Sequence, residues 1–162
     1  MTVGQKSPHA VILTKPSDLE FRVERVFDHP IERVWAAYTD AELIPQWWGQ
    51  GTRVDRLDVR VGGGWRFVSN PGTDQQSAMS GDFLEVSPPD RLVQTFTMEG
   101  PYGKPHTQTI EFSRVGDGTH LAITSRFDTT EERDTVVAYG AEKGAIGGWV
   151  SLDALLKRLA AG

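Results

Sequence analysis

The side chains best equipped for chemistry are scattered along this chain. Its four histidines stand at 9, 29, 106 and 120, and none has the HExxH or other close spacing with which proteins grip a metal. There is no cysteine, which removes thiolate metal sites, cysteine nucleophiles and disulfide scaffolds together. No GxSxG elbow is present to raise a serine nucleophile. "GPYGKP" lacks the GxxxxGK[ST] spacing of a phosphate loop, and "GAEKGAIGG" matches GxGxxG poorly. Acidic residues are plentiful, but nothing in their order selects a working pair. No catalytic set, metal or cofactor is therefore assigned.

What remains is sparse polarity inside apolar rows. Alternate side chains of a strand face opposite sides, so Leu92, Gln94, Phe96 and Met98 share one face. His106, Gln108, Ile110 and Phe112 share a second, and Leu121, Ile123, Ser125 and Phe127 a third. Burying a polar group without a partner costs about 1–3 kcal/mol, so Gln94, His106, Gln108 and Ser125 need protein, water or a ligand to satisfy them. A few polar groups set among apolar ones are also what lines a small-molecule pocket. Phe96 belongs to the same lining, and His106 is the one acid–base candidate in it.

Aromatic residues complete the candidate site. Trp65 and Phe67 share a face in "GGGWRF", after glycines that permit a tight turn. In "PQWWGQG" the neighbours Trp47 and Trp48 project about 100° apart if they end a helix, so one is expected to anchor the core and the other to stand at the cavity rim. Tyr139 and Lys143, one helical turn apart, are expected at the cavity mouth.

These residues need elements to carry them. Phe21, Val23, Arg25 and Phe27 predict a first strand with one polar interruption. Ile31, Val34, Trp35 and Tyr38 follow at helical spacing behind Pro30, and Thr39 with Glu42 has capping-box spacing for a second short helix. From Thr52 to Phe127, turn signals separate six predicted strands, 52–60, 64–69, 77–86, 91–98, 106–115 and 119–127. Thr129 and Glu132 then cap a helical stretch in which Ala145, Trp149, Leu152, Leu156 and Leu159 form an apolar stripe. Gly140, Gly144, Gly147 and Gly148 interrupt it, each at about 1 kcal/mol relative to alanine. Close packing, a break between two helices or room for a ligand would each explain them.

The predicted fold is α+β, a helix grip in which a seven-stranded antiparallel sheet wraps around a long C-terminal helix, with two short helices between strands 1 and 2. Residues 1–17 read as a loosely ordered leader and 18–162 as a single domain. With 17 Lys and Arg against 22 Asp and Glu, a formal charge of -5 argues against nucleic acid as a partner. The longest early apolar run, Ala10–Leu13, is too short for a signal core or a membrane span, which points to a soluble cytoplasmic protein.

The order of "RVFDHPIERVWAAYTDAELIPQWWG", "VGGGWRF", "GDFLEVSPPDRLVQTF", "GTHLAITSRF", "TTEERD" and "GGWVSLDALLKRL" resembles the bacterial family named for homology to the activator of heat shock protein 90 ATPase. That family lies in the START-like, SRPBCC superfamily. The resemblance runs over about residues 19 to 159, and it departs at Gln50 and Val61, where relatives commonly have proline. It implies a helix-grip fold with a cavity between sheet and last helix, and a hydrophobic or amphipathic small molecule as partner. Two other functions stay open beside ligand binding. One is a chaperone-associated protein-binding module, the other a cofactor-free enzyme resembling polyketide cyclases and aromatases.

Overall fold

The computed structural model describes residues 9–49 and 51–162, so the departure at Gln50 and positions 1–8 of the leader lie outside the described residues. The strands are β1 (Ile12–Ser17), β2 (Glu20–Phe27), β3 (Arg53–Leu57), β4 (Gly64–Ser69), β5 (Ser77–Ser87), β6 (Arg91–Met98), β7 (His106–Val115) and β8 (Gly118–Arg126). They form one antiparallel sheet in the order β1-β2-β8-β7-β6-β5-β4-β3. The turn signals between β4 and β8 fall where the chain reverses, so β4, β6 and β7 match their expected spans.

The sheet has eight strands among the described residues, one more than expected. The addition is β1, inside the stretch read as a loose leader. It pairs with β2 through Leu13↔Val23, while Val11 and Leu13 pack on the core. Lys15 and Pro16 hide it in the sequence by breaking the apolar alternation. An edge strand tolerates such a proline because only one side of it must donate to a neighbour.

Helix α1 (Ile31–Thr39) follows β2 and buries Ile31, Val34 and Ala37. The expected Thr39–Glu42 capping box does not form. Thr39 Oγ1 donates back to Trp35 O at 2.8 Å, as a hydroxyl in a last helical turn readily does. Asp40 Oδ1 accepts from Glu42 N at 2.9 Å instead. The second short helix is only a 3₁₀ turn, Ile44–Gln46, which delivers the chain to Trp47 and Trp48. Further on, Thr129 Oγ1 accepts from Glu132 N at 3.1 Å, but the Glu132 carboxylate turns to Lys104 Nζ at 2.6 Å, so half of that box is made.

Helix α2 (Thr130–Ala138) ends near Gly140, whose φ of 109° is left-handed and turns the chain into α3 (Ala141–Ala161). The buried residues of α3 are Trp149, Leu152, Leu155 and Leu156, all in its later turns. Trp149 meets Phe27 edge-on at 5.9 Å. Polar contacts pin the same part of the helix. Asp153 Oδ1 lies 3.2 Å from His29 Nε2 and 3.9 Å from Arg25 Nη2, and Oδ2 lies 3.1 Å from Lys157 Nζ. Burial opposes ionisation of Asp153, but Lys157, Arg25 and His29 outweigh it and hold the carboxyl below its usual range. Arg25, the polar interruption in β2, also lies 4.0 Å over the Phe27 ring. The later half of α3 is thus clamped to the sheet, while its first turns span a hollow.

Candidate functional site

Strand register gathers the polar residues. Gln94 on β6 stands opposite Gln108 on β7, and Gln108 stands opposite Ser125 on β8, so the three make one row across the concave face. Phe83 and Phe21 end that row on β5 and β2. Gln94 Nε2 donates to Gln108 Oε1 at 3.0 Å. The next row holds Phe96 opposite His106.

Between this face and α3 lies a cavity of about 420 Å³. Gln94, Gln108 and Ser125 lie on its floor, and Ala141, Gly144, Ala145 and Gly148 of α3 form its roof. Among the described residues, no Asp, Glu, Lys or Arg lines it. Met98 and Gly144 line it and are also exposed, so the cavity reaches solvent beside both.

The walls are aromatic. Trp47 rests on Tyr38 with ring centres 4.8 Å apart, Trp48 meets Phe67 at 5.0 Å, and Trp65 meets Phe96 at 5.4 Å. His106 lies against Phe96 at 5.4 Å and stacks on Phe127 at 4.4 Å. Burial among these rings pushes the His106 imidazole down to about 4, so it is neutral near pH 7. Burial likewise raises the Tyr38 phenol above its usual range, although its oxygen accepts from Trp149 Nε1 at 3.0 Å.

Trp47 is buried and its Nε1 donates to Ala37 O at 2.8 Å, which locks the turn after α1 to the helix itself. Trp48 is half-buried and has no such tie, yet both rings line the cavity. Among the described residues, Trp65 Nε1 is buried without an acceptor. That ring lies over Gly81, where a Cβ would meet Nε1 at 2.7 Å and collide with Thr95 O.

Nine of the residues singled out in the sequence therefore meet at one cavity, Trp47, Trp48, Trp65, Phe67, Gln94, Phe96, His106, Gln108 and Ser125. Tyr139 and Lys143 do not line it. Both are exposed, Tyr139 at 92 %, because the turn at Gly140 carries the joint between α2 and α3 outward. The sequence reading missed Tyr38, Phe21, Val23 and Trp149 as lining. Their apolar periodicity was visible, but periodicity does not distinguish a packed ring from one beside a void.

The glycines now separate by role. Gly140 makes the helix break. A Cβ at Gly144, Gly147 or Gly148 would touch nothing within 4 Å, so close packing explains none of them. Gly144 and Gly148 border the cavity.

Chemically, the site offers neutral hydrogen-bonding groups in an aromatic enclosure. Among the described residues no cluster of three or more His, Asp or Glu could hold a metal, and no helix is long and apolar enough to cross a membrane.

Solved structures share this architecture. The crystal structure of protein Ms6760 from Mycobacterium smegmatis superposes with a TM-score of 0.82 at 21 % identity, over 92 % of this chain and 99 % of that one. A crystal structure from Rhodobacter sphaeroides gives 0.83 at 24 % identity, over 92 % and 99 %. Protein NE0264 from Nitrosomonas europaea gives 0.77 at 26 %, over 90 % and 99 %. No curated protein matches the chain. The family model described as "Activator of Hsp90 ATPase homolog 1-like protein" matches residues 28–160, from the entrance of α1 through nearly all of α3, and the chain belongs to that family.

Proposed function

We propose that this protein binds a hydrophobic or amphipathic small molecule in the cavity between the sheet and α3, with Trp47, Trp48, Trp65, Phe67, Gln94, Phe96, His106, Gln108 and Ser125 as its contacts. The observation that carries the reading is the volume. Protein interiors are packed to crystal-like density and leave few voids larger than a water molecule. A cavity of about 420 Å³ is far outside that norm and lies within the usual size range of ligand pockets. One further feature supports it. Glycine stands at 144 and 148, where packing does not demand it.

Binding accounts for the site better than turnover does. A general base works best with a pKa near the operating pH, and the His106 imidazole at about 4 is poorly matched to proton abstraction near neutrality. The cysteine-free chain fits a reducing cytoplasm.

Mass spectrometry of protein purified under native conditions and then denatured tests the reading. A stoichiometric co-purifying compound that raises the melting temperature when added back is the expected result. An empty protein whose melting temperature no lipid or aromatic compound shifts would overturn it. Stimulation of a chaperone ATPase by such an empty protein would favour the protein-binding function instead.

A further inference from the structure

Resting on the ligand-binding reading, the floor of the cavity also indicates which ligands enter. We propose that the Gln94–Gln108–Ser125 row selects a neutral, planar aromatic molecule carrying a hydrogen-bond donor and acceptor side by side on one edge, as a lactam does.

The two amides use one N–H and one carbonyl on each other at 3.0 Å. Each glutamine has two N–H bonds and a carbonyl with two lone pairs, so whichever way the amides are turned, donors and acceptors remain. Ser125, 1 % exposed and next in register, adds a hydroxyl to the row. A ligand edge offering only a donor or only an acceptor leaves part of this row unanswered. A lactam edge answers both, and a site built to hydrogen-bond its ligand discriminates strongly against an analogue without the polar group.

Charge is excluded on separate grounds. With no Asp, Glu, Lys or Arg lining the cavity among the described residues, an ionised ligand would lose its hydration without gaining a counter-ion. Planarity follows from the walls, where Trp48, Trp65, Phe67 and Phe96 present ring faces and edges that favour stacked or edge-on aromatic partners. At interior packing density the cavity holds about fifteen to twenty non-hydrogen atoms, enough for two or three fused rings.

Three bicyclic probes of similar shape test this by equilibrium dialysis and thermal unfolding of the full chain. They are 2-quinolone, a lactam; naphthalene, without polar atoms; and 2-naphthoate, an anion. We expect 2-quinolone to bind at least tenfold more tightly than either. In Gln108→Leu its affinity should fall to that of naphthalene, while naphthalene binds as before. Ser125→Ala, which removes a single hydroxyl, should give a smaller loss in the same direction and provides a second variant if Gln108→Leu does not fold. Equal binding of 2-quinolone and naphthalene, or preference for 2-naphthoate, overturns the selectivity and leaves the ligand-binding reading standing. Binding of none of the three, together with no co-purifying compound, overturns both.

Discussion

Single residues on this cavity divide into those that hold it and those that face what enters. Trp47 does both, and its ring is buried with Nε1 bonded to Ala37 O. Trp47→Ala should therefore cost about 3–5 kcal/mol in urea unfolding. Trp48, half-buried and without that bond, should cost about 1–2 kcal/mol on truncation, with its main effect on ligand affinity. The contrast refines the expectation of one anchor and one rim residue, because both rings reach the cavity. His106 supplies a pH signature. Well above pH 6.5 its ring is neutral in folded and unfolded chains alike and contributes nothing to pH dependence. As pH falls, the unfolded chain takes up the proton first, so stability drops until the folded ring titrates near 4. The loss should total roughly 3 kcal/mol, and His106→Asn should flatten the profile between pH 6.5 and 4 in urea unfolding relative to the parent protein.

At the scale of elements, α3 has two halves with different work. From Trp149 onward it is clamped by buried leucines and by Asp153 with its neighbours His29, Arg25 and Lys157. Its first turns carry Gly144, Gly147 and Gly148 over open space. Gly147 is exposed and does not border the cavity, so Gly147→Ala should stabilise the protein by about 0.5–1 kcal/mol in thermal or urea unfolding, with ligand affinity unchanged. Gly148→Leu, by contrast, should direct a side chain into the cavity and reduce affinity at least tenfold while the fold is kept. If both substitutions left affinity alike, the glycines would be features of the helix and not of the pocket. Elements were the most legible level of the sequence. The boundaries of β4, β6 and β7 and the capping threonine at 129 were readable because each depends on neighbours a few residues away. β1 was not readable, since Lys15 and Pro16 are acceptable only at an edge that the partner strand creates.

For the whole molecule, the sheet bends around one helix and leaves a hollow that neither covers alone. A ligand bound only by the folded chain stabilises it by mass action, by about 2.7 kcal/mol at a hundredfold excess over Kd. Saturating 2-quinolone should accordingly raise the melting temperature of the parent protein, and of Gln108→Leu much less. Because the lining is overwhelmingly apolar, binding should also show a negative heat-capacity change in calorimetry at several temperatures.

The sequence by itself determined the periodicities, the turns, the lack of any recognisable catalytic or metal motif, and the polar residues set in apolar rows. These are properties of side chains two to four positions apart, and the backbone geometry of strand and helix converts them directly into faces. Only the tertiary structure decided that Gln94, Gln108 and Ser125 fall in register as one row, that Tyr38 and Trp149 close the same cavity, and that Tyr139 and Lys143 stand outside it. The row follows from how β6, β7 and β8 pair, and the other two outcomes depend on how far α3 stands from the sheet. The clamp at Asp153 and the turn at Gly140 set that distance, and no local pattern in the chain encodes it.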